Sequence, residues 1–280
     1  MTHELMSHEP VASNIDLLSA WIESQMAYSG QPGLSIAIIR DQDIVWSKGF
    51  GRSDLASETP AKPSTIYRIA SITKLFTATS IMQLRDAGKL QLDDPIIKHI
   101  PWFDIQDRYP DSPPITIRHL ITHTSGLPRE AAFPYWTDSE FPTRDQIVGA
   151  LPNQQTALPT ETRWKYSNLA YTIAGIIVEE VSGMSWADYL QQNIFDPLGM
   201  SSSSVDVPDA KMATGYGIRM PDGSREVFPF VDARGMAAAT GLTSTLEDMA
   251  RFISAQFRTG PRGGDRLLST ASLREMHRVR

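Results

Sequence analysis

Tyr67-Arg-Ile-Ala-Ser-Ile-Thr-Lys74 opens a segment, Ser71 to Ala87, whose apolar spacing predicts a long helix closed by Gly88. Its residues Ile72, Leu75, Phe76, Ile81, Met82 and Leu84 wrap most of the way round, which predicts a centrally buried helix. Ser71 and Lys74 are three apart, so on a helix their side chains share one face a turn apart. A serine hydroxyl is a weak nucleophile until a neighbouring base takes its proton. A lysine is such a base when burial or a nearby cation favours its neutral form. A helix N-terminus adds N–H groups and a positive dipole end for an oxyanion formed at Ser71. The plainer alternative is an N-cap serine with an unrelated exposed lysine, because this pair arises about once by chance in such a chain.

A second cluster, Tyr166-Ser-Asn168, stands immediately before another apolar helix, Asn168–Val181. A phenol and a carboxamide two apart form a compact donor and acceptor set at a loop-to-helix junction. Beside Lys74, Tyr166 would share a proton with it and relay the Ser71 proton to a leaving group, while Asn168 held a substrate carbonyl or the lysine. Against this stands an interfacial tyrosine and an N-cap asparagine.

The two motifs occur in the order Ser-x-x-Lys, then Tyr-x-Asn, and with them the chain resembles the serine β-lactamase and penicillin-binding-protein superfamily. The branch is that of class C β-lactamases, family VIII carboxylesterases and D-aminopeptidases. Further stretches carry the resemblance: Pro32-Gly-Leu-Ser-Ile-Ala-Ile, Gly88-Lys-Leu-Gln-Leu-Asp-Asp-Pro95, Leu120-Ile-Thr-His-Thr-Ser-Gly-Leu127, and Gly241-Leu-Thr-Ser-Thr-Leu-Glu-Asp-Met-Ala-Arg251. The resemblance implies Ser71 as the acylated nucleophile, Lys74 as its base or proton partner, Tyr166 as proton shuttle and Asn168 as a hydrogen-bonding partner of substrate or lysine. The Ser71 N–H would be one oxyanion donor, and no metal or organic cofactor is implied.

The implied fold is α+β, β-lactamase/transpeptidase-like, with an antiparallel sheet flanked by helices plus a mostly helical region. On that frame, residues 1–70 supply the N-terminal helix and first strands, 71–243 the mostly helical catalytic region, and 244–280 helices returning to the sheet. The family's third motif, Lys-Thr-Gly or His-x-Gly on a later strand, has no counterpart: none of the six histidines is followed by x-Gly. Arg258-Thr-Gly260 ends a predicted helix, where Gly260 reads as a stop signal. We therefore expect a further C-terminal segment, with about three strands and a closing helix, to complete the fold.

Working outward, Ser13 is a candidate N-cap for a helix with Ile15, Leu18, Ile22 and Met26 at helical spacing, stopped by Ser29-Gly30. Gly33–Arg40 and Asp43–Phe50, separated by Asp41-Gln42, predict a β-hairpin. Thr116 caps a short helix ending near His123, and helices are predicted at Arg144–Leu151, Trp186–Ile194, Leu246–Arg258 and Ser269–Arg280. Ser244 and Glu247 are spaced as a capping box for Leu246–Arg258. Between Met200 and Thr243 one hairpin is predicted around Pro221-Asp-Gly-Ser224.

Two features stay open on sequence. His123 is either a catalytic base or a turn position, and Tyr135, Trp136 and Phe141 either line an acyl pocket or cover core.

Composition narrows the function. The chain has 280 residues, 41% hydrophobic and 21% charged, enough for a sizeable core and against wholesale disorder. A net charge of −6 lacks the basic footprint of a nucleic-acid binder. Without cysteine there is neither disulfide, thiolate metal site nor cysteine nucleophile. The amino terminus lacks the n- and h-regions of a secretory signal, and the apolar run Leu169–Val178 is too short for a bilayer, so a soluble cytoplasmic protein is expected.

The expected activity is a serine hydrolase acting on a small ester or amide, a carboxylesterase before a β-lactamase or D-aminopeptidase. A non-catalytic penicillin-binding-type sensor is the rival from another class. The expected partner is a small-molecule ester, amide or β-lactam, with no nucleic acid and no membrane.

Overall fold

Helix α1, Glu9–Ser29, lays Ile22 and Met26 against a β-hairpin in the computed structural model, which describes residues 9–205, 212–257 and 267–278. The helix starts four residues before Ser13, which is not its cap. Pro10 lies in the first turn, where a missing N–H costs nothing, so the helix extends through the predicted start. Gly30, at φ 66°, ends it.

Strands β1 (Gly33–Arg40) and β2 (Asp43–Asp54) pair antiparallel from Gly33↔Gly51 to Arg40↔Asp43. The turn residue Asp41 takes φ 56°, a conformation Asp tolerates, which explains a tight turn without glycine. Leu34, Ile36, Trp46 and Phe50 face α1 to make a small core of their own. β2 runs four residues past the predicted strand, through Gly51 at φ 67°, where a Cβ would lie 2.2 Å from the Pro32 carbonyl. A two-residue strand, β3 (Thr59–Pro60), joins it, giving the sheet order β1-β2-β3.

The main core gathers around α2, Thr73–Asp86, which follows a 3₁₀ turn at Ala70–Ile72. Phe76 stacks on Phe252 at 4.1 Å and meets Phe195 edge-on, and Ile81, Met82 and Leu84 are buried. Central burial holds from Phe76 to Leu84, but the apolar residues at the predicted helix start do not share it: Ile72 and Leu75 are 45% and 51% exposed. The open turn is the one that carries Ser71.

Helix α3, Ile117–Ile121, begins at Thr116, whose hydroxyl accepts from the His119 N–H while His119 Nδ1 accepts from the Thr116 N–H. A short helix α4 (Tyr135–Asp138) precedes α5, Arg144–Ala150, capped reciprocally by Thr143 and Gln146. Helix α6, Asn168–Ser182, is buried over its first eleven residues and ends at Gly183. Helices α7 (Trp186–Leu190) and α8 (Asp196–Leu198) are joined by a π turn.

β4 (Tyr67–Arg68) and β7 (Thr243–Ser244) form a two-residue antiparallel pair. β5 (Gly215–Tyr216) and β6 (Val227–Phe228) flank the predicted Pro221–Ser224 turn. A short helix α9, Ala237–Thr240, leads into β7, followed by α10 (Leu246–Gln256) and α11 (Thr270–Met276). The cap of α10 is Thr245, whose hydroxyl accepts from the Asp248 N–H; Ser244, the predicted cap, is instead paired with Tyr67 in the sheet. Arg258-Thr-Gly260 lies outside the described residues.

The architecture is α+β as expected, with small antiparallel sheets beside a helical body.

Candidate active site

Ser71 is held at a corner between β4 and α2. The Ile69 N–H donates to the Leu242 carbonyl at 3.0 Å, and Thr73 Oγ1 accepts from the Leu242 N–H at 3.1 Å, so both sides of the corner are tied to the chain entering β7. Between them Ala70 sits at φ 43°, a region a residue with a Cβ adopts only when its surroundings impose it. Ser71 is exposed in the 3₁₀ turn, whose first N–H groups have no acceptor within the turn itself.

One turn on, Lys74 is 5% exposed and its Nζ meets three oxygens. It lies 2.7 Å from Asn168 Oδ1, 2.8 Å from the Ala239 carbonyl and 3.3 Å from Ser71 Oγ. A neutral amine has two N–H bonds and one lone pair. As an ammonium Lys74 donates to all three oxygens; in the neutral form the two carbonyl oxygens would accept both N–H bonds and leave the lone pair for Ser71. Burial is the main effect on Lys74 and lowers its pKa; Tyr166 and Glu130 oppose this and Arg129 adds to it. The Tyr166 hydroxyl donates to Ser71 Oγ at 2.7 Å, and Lys74 Nζ lies 4.8 Å from the centre of its ring.

The structure thus brings Ser71, Lys74, Tyr166 and Asn168 together. Asn168 is not the cap of α6: Ser167 Oγ accepts from the Ala170 N–H and donates to the Pro128 carbonyl. With capping done by its neighbour, the first-turn Asn168 side chain is free to face Lys74. Its Nδ2 donates to both Glu130 oxygens, at 3.0 and 2.9 Å.

His123 serves the turn. At φ 60°, its Nδ1 accepts from the Ser167 N–H at 3.1 Å, and its ring lies 4.6 Å from Tyr166 and 5.0 Å from Tyr171. Burial, followed by the Lys74 charge, lowers its pKa to about 4. A neutral imidazole with Nδ1 occupied holds the segment that carries Tyr166. Of the aromatic cluster, Tyr135 and Phe141 are core, at 1% and 4% exposure, and Trp136 covers them from outside.

Sequence reasoning missed two neighbours of the lysine system. The Ala239 carbonyl is a backbone atom with no side-chain signature. Glu130 lies three residues after Leu127, and no local pattern marks it. Among the described residues no three His, Asp or Glu side chains gather to hold a metal ion, and no helix is long and apolar enough to cross a membrane.

Comparison with known proteins defines the class. The Beta-lactamase family model matches residues 18–280, and the chain belongs to that family. It is 32% identical over 248 residues to Beta-lactamase-like protein 2 of Dictyostelium discoideum, covering 86% of this chain and 45% of the relative. The octameric penicillin-binding protein homologue from Pyrococcus abyssi superposes with a TM-score of 0.81 at 32% identity, covering 94% of this chain and 60% of that one. A Beta-Lactamase/D-Alanine Carboxypeptidase from Pseudomonas syringae superposes at 0.74 with 26% identity, covering 92% and 68%. The chain spans less than half the length of the curated relatives it matches.

Proposed function

We propose that this chain carries the acyl-transfer site of a serine hydrolase that cleaves a small carboxylic ester or amide through an acyl-Ser71 intermediate. The observation that carries the reading is the placement of Ser71 Oγ between the Tyr166 hydroxyl at 2.7 Å and a buried Lys74 Nζ at 3.3 Å. In the first half-reaction Ser71 Oγ bonds to the substrate carbonyl carbon as its proton passes to the Lys74–Tyr166 pair. The carbonyl oxygen becomes an oxyanion facing the Ser71 N–H. Collapse breaks the bond to the alcohol or amine, which leaves with the proton delivered through Tyr166. Water then adds to the acyl carbon, giving its proton to the same pair, and Ser71 Oγ leaves protonated with release of the carboxylic acid.

A carboxylesterase is favoured over enzymes whose substrates carry a carboxylate. Beside Asn168, Arg129 Nε already donates to Glu130 at 3.0 Å, so part of the positive charge on that flank is engaged by a neighbouring carboxylate. The likeness to a Beta-Lactamase/D-Alanine Carboxypeptidase supports amide and β-lactam cleavage as the second reading.

The test is intact-protein mass spectrometry after a fluorophosphonate, followed by turnover of p-nitrophenyl butyrate, a chromogenic cephalosporin and a D-alanyl anilide. One adduct, absent from Ser71→Ala, is the expected result; an adduct that persists in the variant refutes the site. Faster turnover of the cephalosporin than of the ester would replace esterase by β-lactamase.

A further inference from the structure

The Asn168 carboxamide has two different ends, and the site needs one of them. Its oxygen must face Lys74, because an NH₂ group there would set donor against donor. The other end of the amide meets Glu130, and an ionised carboxylate only accepts hydrogen bonds. Both Glu130 oxygens lie within 3.0 Å of Asn168 Nδ2. Turning the amide over would therefore create two repulsive contacts, oxygen against carboxylate and NH₂ against Lys74.

Glu130 is itself pinned. The hydroxyl of Tyr135, whose ring is packed in the core 4.6 Å from Phe141, donates to Glu130 Oε2, and Arg129 Nε donates to Oε1 at 3.0 Å. The same loop grips the start of α6 through its backbone: the Asn168 N–H donates to the Arg129 carbonyl at 2.7 Å and the Ser167 hydroxyl to the Pro128 carbonyl at 2.6 Å.

We infer that Glu130 is a positioning residue of the acyl-transfer site: its carboxylate fixes the Asn168 amide, and through it the Lys74 amine, in the orientation that presents the lone pair to Ser71. The inference rests on the hydrolase reading above for its kinetic consequence, although the orientation itself does not.

A second consequence follows from charge. Lys74 is faced by Ser71 from its own helix turn and by Tyr166 from the loop before α6. Asn168 and Tyr171 face it from α6, the Ala239 carbonyl from α9, and Arg129 and Glu130 from the loop beyond. His123 lies within the field of the lysine. Among these, Glu130 contributes a negative charge that favours the ammonium form and Arg129 the opposing positive one. Neutralising Glu130 while keeping an acceptor oxygen should let Lys74 lose its proton at lower pH.

Two variants separate orientation from charge. In Glu130→Gln, Oε1 still accepts from Asn168 Nδ2 and the new NH₂ donates to the Tyr135 hydroxyl, which can also accept, although the NH₂ replaces the second acceptor at Nδ2, so one of the two contacts to the amide is kept. In Glu130→Leu the acceptor is gone. The readouts are the pH profile of kcat/KM for p-nitrophenyl butyrate and the titration of Lys74 followed by NMR of [ε-13C]lysine protein, its signal identified by loss in Lys74→Arg.

Glu130→Gln should move the acid limb and the Lys74 titration together to lower pH, and should lose less plateau kcat than Glu130→Leu. Glu130→Leu should lower plateau kcat by about 10- to 100-fold, the loss of one hydrogen bond to a charged group, with KM nearly unchanged. A Lys74 titration unmoved in Glu130→Gln overturns the inference, as does a folded Glu130→Leu with wild-type plateau kcat. Should Glu130→Leu fail to fold, the NMR titration of Glu130→Gln decides alone. A shifted titration in a protein that turns over no ester would leave the inference standing and sink the hydrolase reading.

Discussion

Substituting Gly175 by alanine tests whether the Lys74 acceptors depend on the spacing of two helices. Gly175 lies on α6 facing α9, and a Cβ built there would sit 2.3 Å from Ala238 Cβ and 3.8 Å from Trp186 Cδ1. Carbon atoms rest about 3.5–4.0 Å apart, so α9 must retreat by roughly 1.2–1.7 Å. The retreat would carry two carbonyls with it. Ala239 O accepts from Lys74 Nζ at 2.8 Å, and Ala238 O accepts from Thr77 Oγ1 at 2.7 Å. Stretching both by more than 1 Å takes them out of hydrogen-bond range. Overpacking typically costs about 1–3 kcal/mol, equivalent to a fall in Tm of roughly 2–12 °C. A misplacement near 1 Å costs up to about 100-fold in rate. Thermal unfolding and kcat with p-nitrophenyl butyrate are the assays. Gly149→Ala in α5 is the control, because a Cβ there meets nothing within 4 Å, and it should hold or raise Tm. If Gly175→Ala keeps wild-type Tm and kcat while folded, the close approach of α9 does not hold the lysine, and the account of its two acceptors is wrong.

Lys74→Ala and Tyr166→Phe should each remove most of kcat, with the double variant barely worse than either, because both act on the one proton of Ser71; additive losses in log kcat would refute a shared proton path. Stability should fall as pH drops from 6.5 towards 4. In that window the unfolded chain protonates His123 and the folded one does not, since burial lowers its pKa from 6.5 to about 4. The contribution is fully lost below pH 4. His123→Asn keeps an acceptor for the Ser167 N–H and tolerates positive φ, so its urea midpoint should change less between pH 7 and 4.5 than that of the wild type; an equal change would place the pH sensitivity elsewhere.

The legible parts of the fold were those whose pattern is local. The β1–β2 hairpin and the helices at 117–121, 144–150 and 168–182 follow from period and caps. What escaped depended on tertiary pairing. β4 and β7 are two residues each and exist because Tyr67 meets Ser244 across 177 positions of sequence, which also moved the α10 cap from Ser244 to Thr245. The open start of the segment, the 3₁₀ turn and the beginning of α2, escaped for a similar reason. Ile72 and Leu75 count as apolar in any periodic reading, but only the folded chain reveals that about half of each stays exposed, at 45% and 51%.

The candidate site divides along the same line. Side chains with chemical character, Ser71, Lys74, Tyr166 and Asn168, stand out as motifs because reactivity restricts residue type. The groups that orient them carry no such restriction. Any residue at position 239 offers a carbonyl; Glu130 acquires meaning only beside Asn168 and Tyr135; and His123, the residue of most conspicuous chemical character in its segment, is consumed by holding a turn. A buried lysine needs its charge suppressed and its remaining lone pair aimed. Burial here pushes the Lys74 pKa in the direction of the first, and two carbonyl acceptors from different helices are placed to do the second. The reactivity of Ser71 on this account lies less in the Ser-x-x-Lys spacing than in the packing of α6 and α9 against α2, the long-range arrangement that Gly175→Ala would disturb.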